Sequence, residues 1–188
     1  RNKEARAAEA SIKYVLFGAV ATALGLYGIS YIIAGQHTTF IHALASMDWS
    51  WTRNPMPLIG FGLFSLAFLY KLALFPFHFW CPDVYQGTSN ETAAFAATMP
   101  KLGAIVVLIR IIAMMPGDEV KTIIAIFAAF SMTIGNLAAL NQKDIKRLLG
   151  YSSVSHAGYI MLGLVSGTAY GLSAAAFYGL VYMLMNLT

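Results

Sequence analysis

The stretch MPLIGFGLFSLAFLYKLALFPFHFW, residues 56–80, decides the fold. Its apolar residues show no period-two alternation, and as a helix they reach beyond the ~30 Å hydrocarbon core of a bilayer. Inside lipid only a helix or a closed barrel satisfies its own backbone hydrogen bonds, so the stretch predicts a transmembrane helix. Two of its residues do not suit lipid. Lys71 lies between Phe-Leu-Tyr and Leu-Ala-Leu-Phe, and Pro76 removes a helix hydrogen bond five positions later. An ionised lysine near mid-membrane costs about 2.5–3.5 kcal/mol, so Lys71 is expected to face a protein interior or a water-filled path. The alternative is snorkelling to the interface. Broken helices at membrane depth line cavities and mark ion sites in transporters; a simple proline kink is the competing reading.

The rest of the chain repeats this pattern. With 59% hydrophobic and 11% charged residues over 188 positions, it lacks the polar surface to coat a water-soluble globule. Six apolar spans are expected, at about 14–35, 56–80, 92–115, 122–140, 148–167 and 169–188, which makes an all-α polytopic transmembrane bundle forming a single domain. Pro55 and Pro57 open the second span, Pro116-Gly117 closes the third, and Asn141-Gln142 with Asp144 marks the turn before the fifth. The longest linker, Gln36 to Asn54, carries Trp49 and Trp51, whose rings suit the headgroup layer.

The net charge of +4 reflects membrane topology and not nucleic-acid binding, because the basic residues flank the spans without a recognition motif. Arg1, Lys3, Arg6 and Lys13 share one side with Lys143, Lys146 and Arg147, whereas Arg53 and Lys121 fall on the other; the amino end is expected inside. Cys81 is the lone cysteine, which excludes an internal disulfide, an iron–sulfur cluster or a thiolate zinc site made by this chain alone. There is no dinucleotide fingerprint and no P-loop. Arg1 is not an initiating methionine and Thr188 ends the last apolar run without a basic flank, so the chain reads as an internal piece of a longer protein.

Further polar residues stand where lipid would penalise them. Lys101 follows Pro100 well inside the third span and is expected to be buried, with snorkelling as the alternative; Arg110 lies near the boundary and reads as an anchor. A buried ammonium exchanges its proton at neutral pH only when desolvation and a neighbouring cation destabilise the charge by about 4 kcal/mol. Lys71 and Lys101 are therefore candidate proton-exchanging groups on one hydrated path. His78, two residues after Pro76, is either a relay or a partner for a carbonyl freed by the break. His156 lies among Ser152, Ser153, Ser155 and Tyr159, a polar strip that suits a relay or interhelical hydrogen bonds. Glu9 and Lys13, four apart, read as an exposed ion pair at the first helix entrance, with supporting charges for the proton path as the other reading. Gly18 with Thr22 and Gly163 with Gly167 read as helix-packing positions.

KLALFPFHFWCPDVYQGT, residues 71–88, resembles the signature of the antiporter-like membrane subunits of respiratory complex I, and its DVYQG ending is similar to the subunit N (subunit 2) type. GNLAALNQKDIKRLLGYSSVSHAGY, residues 135–159, EASIKY at residues 9–14 and the Pro100-Lys101 neighbourhood extend the resemblance over essentially the whole chain. It implies a helix bundle of two inverted repeats, each with one discontinuous helix, of which this chain resembles helices six to eleven. It implies a central channel lysine at Lys71, a connecting lysine at Lys101 and the signature histidine at His78. The family's channel glutamate and its second broken helix have no counterpart here; Glu9 is not that glutamate.

The resemblance further implies a translocase subunit that moves protons while redox chemistry proceeds elsewhere. No cofactor is expected in this chain; NADH, flavin, iron–sulfur clusters and quinone are expected in partner subunits. The expected partners are the other membrane subunits of complex I, including adjacent antiporter-like ones, and the lipid bilayer. The expected location is a bacterial plasma (inner) membrane or an organellar energy-converting membrane. The rival readings are a subunit of a multisubunit sodium/proton antiporter and a structural membrane subunit that pumps nothing.

Overall fold

In the computed structural model the described residues are 3–46, 49, 53–114 and 118–187; Arg1, Trp51, Pro116, Gly117, Thr188 and the side chains of Lys3 and Arg6 lie outside them. Every regular element among the described residues is helical: α1 (Lys3–Gln36), α2 (Ile41–Ala45), α3 (Met56–Leu72), α4 (Trp80–Gly87), α5 (Asn90–Met114), α6 (Asp118–Leu140), α7 (Ile145–Val165) and α8 (Ala169–Leu187). Five of them, α1, α5, α6, α7 and α8, are long and apolar enough to cross a membrane, and α3 is a shorter apolar helix. Their outward faces carry large apolar side chains such as Val15, Leu26, Phe177 and Leu184, which lipid tolerates and water does not.

The span beginning at Met56 does not run on to Trp80. Helix α3 stops at Leu72, and Ala73 adopts a left-handed conformation (φ 57°, ψ 40°). The Ala73 N–H donates to Tyr70 O at 3.0 Å and the Leu74 N–H to Leu69 O at 2.9 Å, the paired bonds of a Schellman cap. A left-handed non-glycine residue costs about 1–2 kcal/mol, so the surrounding packing must hold it; Ala73 is fully buried. Pro76 therefore lies within the break and does not begin it. The freed backbone groups find partners: the Phe75 N–H donates to Ser131 Oγ of α6 at 2.9 Å, and Trp80 Nε1 to Tyr70 O at 3.0 Å.

Helix α1 runs antiparallel along this broken unit for its whole length. Gly35 lies against Pro57, Gly28 against Gly60, Gly25 against Ala67 and Gly18 against Tyr70. Beyond the break, the Tyr14 and Trp80 rings lie 5.3 Å apart, and Lys13 reaches Asp83. The approach at Gly28 is close enough that a Cβ there would stand 2.4 Å from Gly60 O, which only glycine permits. Gly18 thus packs as expected. Gly163 packs against Gly171 and Ala175 of α8, while Gly167 turns the chain with φ +61°. α6 packs along α7, and α8 lies between α5 and α7.

The contacts also sort the two ends of the bundle. Lys13, Asp83, Asp144, Lys146 and Arg147 gather at one end. Gly35 with Asn54, whose Nδ2 donates to Gly35 O at 3.0 Å, and Gly167 beside Lys121 mark the other. In the linker between them, Trp49 Nε1 donates to Leu44 O at 3.0 Å, and its ring lies 6.1 Å from that of Phe61.

Candidate functional site

Lys101 is the one buried charged side chain among the described residues, with 2% of its surface exposed. Ala97 and Ala104 lie one turn to either side of it on α5, and the close approach of Gly150 to Pro82 and of Gly179 to Ile105 draws α4, α7 and α8 in around that part of α5. Its Nζ donates to Ser153 Oγ. Ser153 Oγ also accepts from Tyr182 OH at 2.7 Å and lies 3.1 Å from Tyr85 OH. Four elements therefore meet at one hydroxyl: α5 brings the amine, α7 the serine, α4 and α8 a tyrosine each. Lys101 Nζ also stands 6.0 Å from the Tyr182 ring centroid, at the edge of cation–π range. Among the described residues no carboxylate neutralises it, and its polar contacts there are the Ser153 hydroxyl and the Tyr182 π face.

His156, one turn after Ser153, joins the edge of this cluster. Its ring lies 5.2 Å from that of Tyr182, and its Nδ1 is 2.8 Å from Tyr178 OH. The serine strip around it does not form one continuous path. Successive helical residues turn by about 100°, so Ser153 faces inward to Lys101 while Ser155 faces α6 and donates to Asn136 Oδ1 at 2.9 Å. Asn136 Nδ2 in turn donates to Tyr159 OH at 3.1 Å.

Lys71 and His78 stand apart from that cluster. Lys71 occupies the last turn of α3 with its side chain exposed on this chain's surface, where the sequence points to an interior or a hydrated path. His78 lies in the break, half-buried, 5.8 Å from the Phe75 ring and 6.4 Å from the Tyr151 ring. Its Nδ1 is buried and bonds to nothing among the described residues, so it does not serve as the partner of a freed carbonyl through that atom. Among the described residues, no hydrogen bond, ion pair or ring contact joins either residue to Lys101.

The Glu9–Lys13 pair closes at 2.9 Å, and it belongs to a larger network. Lys13 also bonds Asp83 at 2.5 Å, and Asp83 bonds Arg147 at 2.6 Å. One carboxylate in α4 thus ties the segment after the break to α1 and α7. Burial pushes the Asp83 carboxyl up, but the Lys13 and Arg147 bonds outweigh it and hold the group below the usual carboxylate range. Gln86 links the network onward, donating to Asp144 Oδ2 at 2.8 Å, and Asp144 caps α7 by accepting from the Lys146 and Arg147 N–H groups. That Gln86 bond, followed by the backbone ones, holds Asp144 below its ordinary value. Asp83 is the residue that sequence reasoning missed. Its signal was available: a carboxylate at the end of an apolar span requires cations, and Lys13 and Arg147 were already assigned to that side.

A cavity of about 150 Å³ opens beside the cluster, lined by Tyr85, Asn90, Ala93, Ala97, Lys146 and Asn186 among others. It connects the Lys146 end of the bundle with the tyrosine that touches Ser153. Among the described residues no group of three His, Cys, Asp or Glu side chains is arranged to hold a metal ion. What the arrangement offers chemically is a protonatable amine in an apolar interior, bonded to one exchangeable hydroxyl that two tyrosine hydroxyls also reach.

Comparison with known proteins places this geometry. The family model described as NADH:quinone oxidoreductase/Mrp antiporter, TM matches residues 1–188. NADH-quinone oxidoreductase subunit N 2 of Solidesulfovibrio magneticus is 65% identical over 188 residues, covering 100% of this chain and 40% of that protein. The protein of the same name from Opitutus terrae is 44% identical, over 95% of this chain and 38% of its own length. The chain therefore spans about two fifths of these relatives. Among solved structures, respiratory complex I from Thermus thermophilus with bound aureothin matches with TM-score 0.79 at 40% identity, covering 95% of this chain and 38% of the matched one. The Mrp complex from Dietzia sp. matches with TM-score 0.85 at 25% identity, covering 95% of this chain and 33% of the matched one. This multi-pass membrane chain belongs to the NADH:quinone oxidoreductase/Mrp antiporter transmembrane family.

Proposed function

We propose that this chain conducts protons as part of a subunit N type membrane subunit of an NADH:quinone oxidoreductase. NADH, flavin, iron–sulfur clusters and quinone reside in partner subunits, and the neighbouring partners are other membrane subunits, antiporter-like ones included. The observation that carries the reading is the buried Lys101 ammonium, bonded to Ser153 in an apolar bundle without a neutralising carboxylate among the described residues. A permanent charge in that position is costly and serves no packing purpose that an apolar residue would not serve better. Lys71, at the mouth of the helix break, is the second exchanging group, with His78 and His156 as relays. The basic end of the bundle is the cytoplasmic one.

The test is made in the intact complex, reconstituted into liposomes. Lys101→Ala and Lys71→Ala are expected to cut NADH-driven proton uptake more than tenfold, while electron transfer measured with an uncoupler persists. Undiminished pumping by both variants would favour a structural role. The sodium/proton antiporter reading draws on the fold likeness to the Mrp complex, but the higher identities lie with the NADH:quinone oxidoreductase relatives. Sodium-dependent proton movement without electron flow would revive it.

A further inference from the structure

We propose that the Ser153 hydroxyl is the relay through which Lys101 exchanges its proton with water in the cavity lined by Tyr85. The proposal rests on the proton-conducting reading above and deepens it. Ser153 Oγ has an amine and two hydroxyls beside it, Lys101 Nζ, Tyr182 OH at 2.7 Å and Tyr85 OH at 3.1 Å; the Cys81 sulfur, whose own hydrogen goes to Gly150 O, is a fourth neighbour. A hydroxyl accepts two hydrogen bonds and donates one. An ammonium can only donate, and Tyr182 donates too, so both acceptor positions of Ser153 are filled; its own hydrogen goes to Tyr85 OH, a stronger acceptor than the Cys81 sulfur. If Lys101 is instead a neutral amine, it presents a lone pair and the same hydrogen turns toward it. The Ser153 proton is thus a two-position switch, set by the charge on Lys101.

Discharge of Lys101 follows that orientation. An Nζ–H bond breaks and a new O–H bond forms at Ser153. The original Ser153 hydrogen passes to Tyr85 OH, and the Tyr85 hydrogen passes to a cavity water, which leaves with the positive charge. Serine and tyrosine end neutral, Lys101 ends as the amine, and one proton has moved from the interior to the cavity. Reversal of the same steps recharges Lys101. Tyr85 belongs to this route because it touches both Ser153 and the cavity, whose other polar lining groups include Asn90, Lys146 and Asn186. Ser153 itself is 1% exposed, so solvent does not reach it directly.

The experiment uses the whole complex in liposomes and compares protons moved per electron. Ser153→Ala is expected to lower the ratio at least tenfold with uncoupled electron transfer retained. Ser153→Thr, which keeps the hydroxyl, is expected to restore most of it, a rescue that a packing role does not produce. Tyr85→Phe removes one oxygen with little change in shape and is expected to reproduce the Ser153→Ala loss. Should Ser153→Ala fail to assemble, Tyr85→Phe alone decides the matter. Normal pumping by Ser153→Ala or by Tyr85→Phe, alongside a dead Lys101→Ala, overturns the relay and leaves the wider reading intact; normal pumping by Lys101→Ala takes down both.

Discussion

Lys71 closes α3 with its side chain on the outer face of the chain, whereas Lys101, one long helix later, is 2% exposed and bonded to a serine that two tyrosines also reach. In sequence the two settings look alike, each a lysine in an apolar run with a proline nearby. The difference is made by what lies opposite. α5 faces α8 and α7, which enclose the amine and offer it the Ser153 hydroxyl, while the last turn of α3 leaves Lys71 exposed among the described residues. Depth along a span thus states where a charge would be expensive, and only the neighbouring helices state whether it is enclosed.

Arginine at each position would break or sharpen this contrast most strongly. A guanidinium stays protonated, so Lys101→Arg and Lys71→Arg should both lose proton uptake, by more than tenfold. They should part on stability. Lys101→Arg overpacks an enclosed site and should destabilise the assembled complex by about 1–3 kcal/mol, whereas Lys71→Arg should stay within about 0.5 kcal/mol. Equal melting midpoints for the two would contradict the contrast in burial.

The anchor beyond the break supplies the next test. Asp83→Asn removes two charge-assisted hydrogen bonds that tie α4 to α1 and α7, and a loss of about 2 kcal/mol is expected in the denaturation midpoint of the purified complex. Because the folded carboxyl is held below its unfolded value near 3.9, its contribution is fully present above that pH and is lost as pH falls through the lower folded value. The acid-induced drop below about pH 4 should therefore be shallower in Asp83→Asn. An unchanged profile would mean that this carboxylate does not hold the segment.

The two histidines give the smallest effect. His156→Phe strands the Tyr178 hydroxyl bonded to Nδ1 and should cost about 1 kcal/mol, while His78→Phe, replacing a ring whose Nδ1 has no partner among the described residues, should be near neutral. A thermal melt of both variants in the complex decides it, and a larger loss at His78 would point to a partner for that ring beyond the described residues.

Several parts of this site were legible before any coordinates. Lys101 within the third apolar run read as buried, and it is; the Glu9–Lys13 pair read as an ion pair four residues apart, and it closes. Other parts were not. Pro76 advertises a break, but the helix ends four residues earlier, at Leu72, because Ala73 takes up a left-handed cap that the buried core around it holds. The serine strip of α7 divides between two faces, which spacing implies once the partner helices are known and not before. Asp83 is read as one letter of a signature until α1 and α7 each bring a cation to it.

What the sequence determined by itself is the solvent and the class of structure: long apolar runs belong in lipid, lipid demands that backbone hydrogen bonds be satisfied within each segment, and helices follow. It also singled out the lysines, since a charge among apolar residues is conspicuous without any coordinates. The tertiary structure alone decided which lysine is enclosed and which hydroxyl it touches. Those outcomes depend on contacts between residues as far apart in the chain as Lys101 and Ser153, where close helix approach at glycine and alanine, not local propensity, selects the partner.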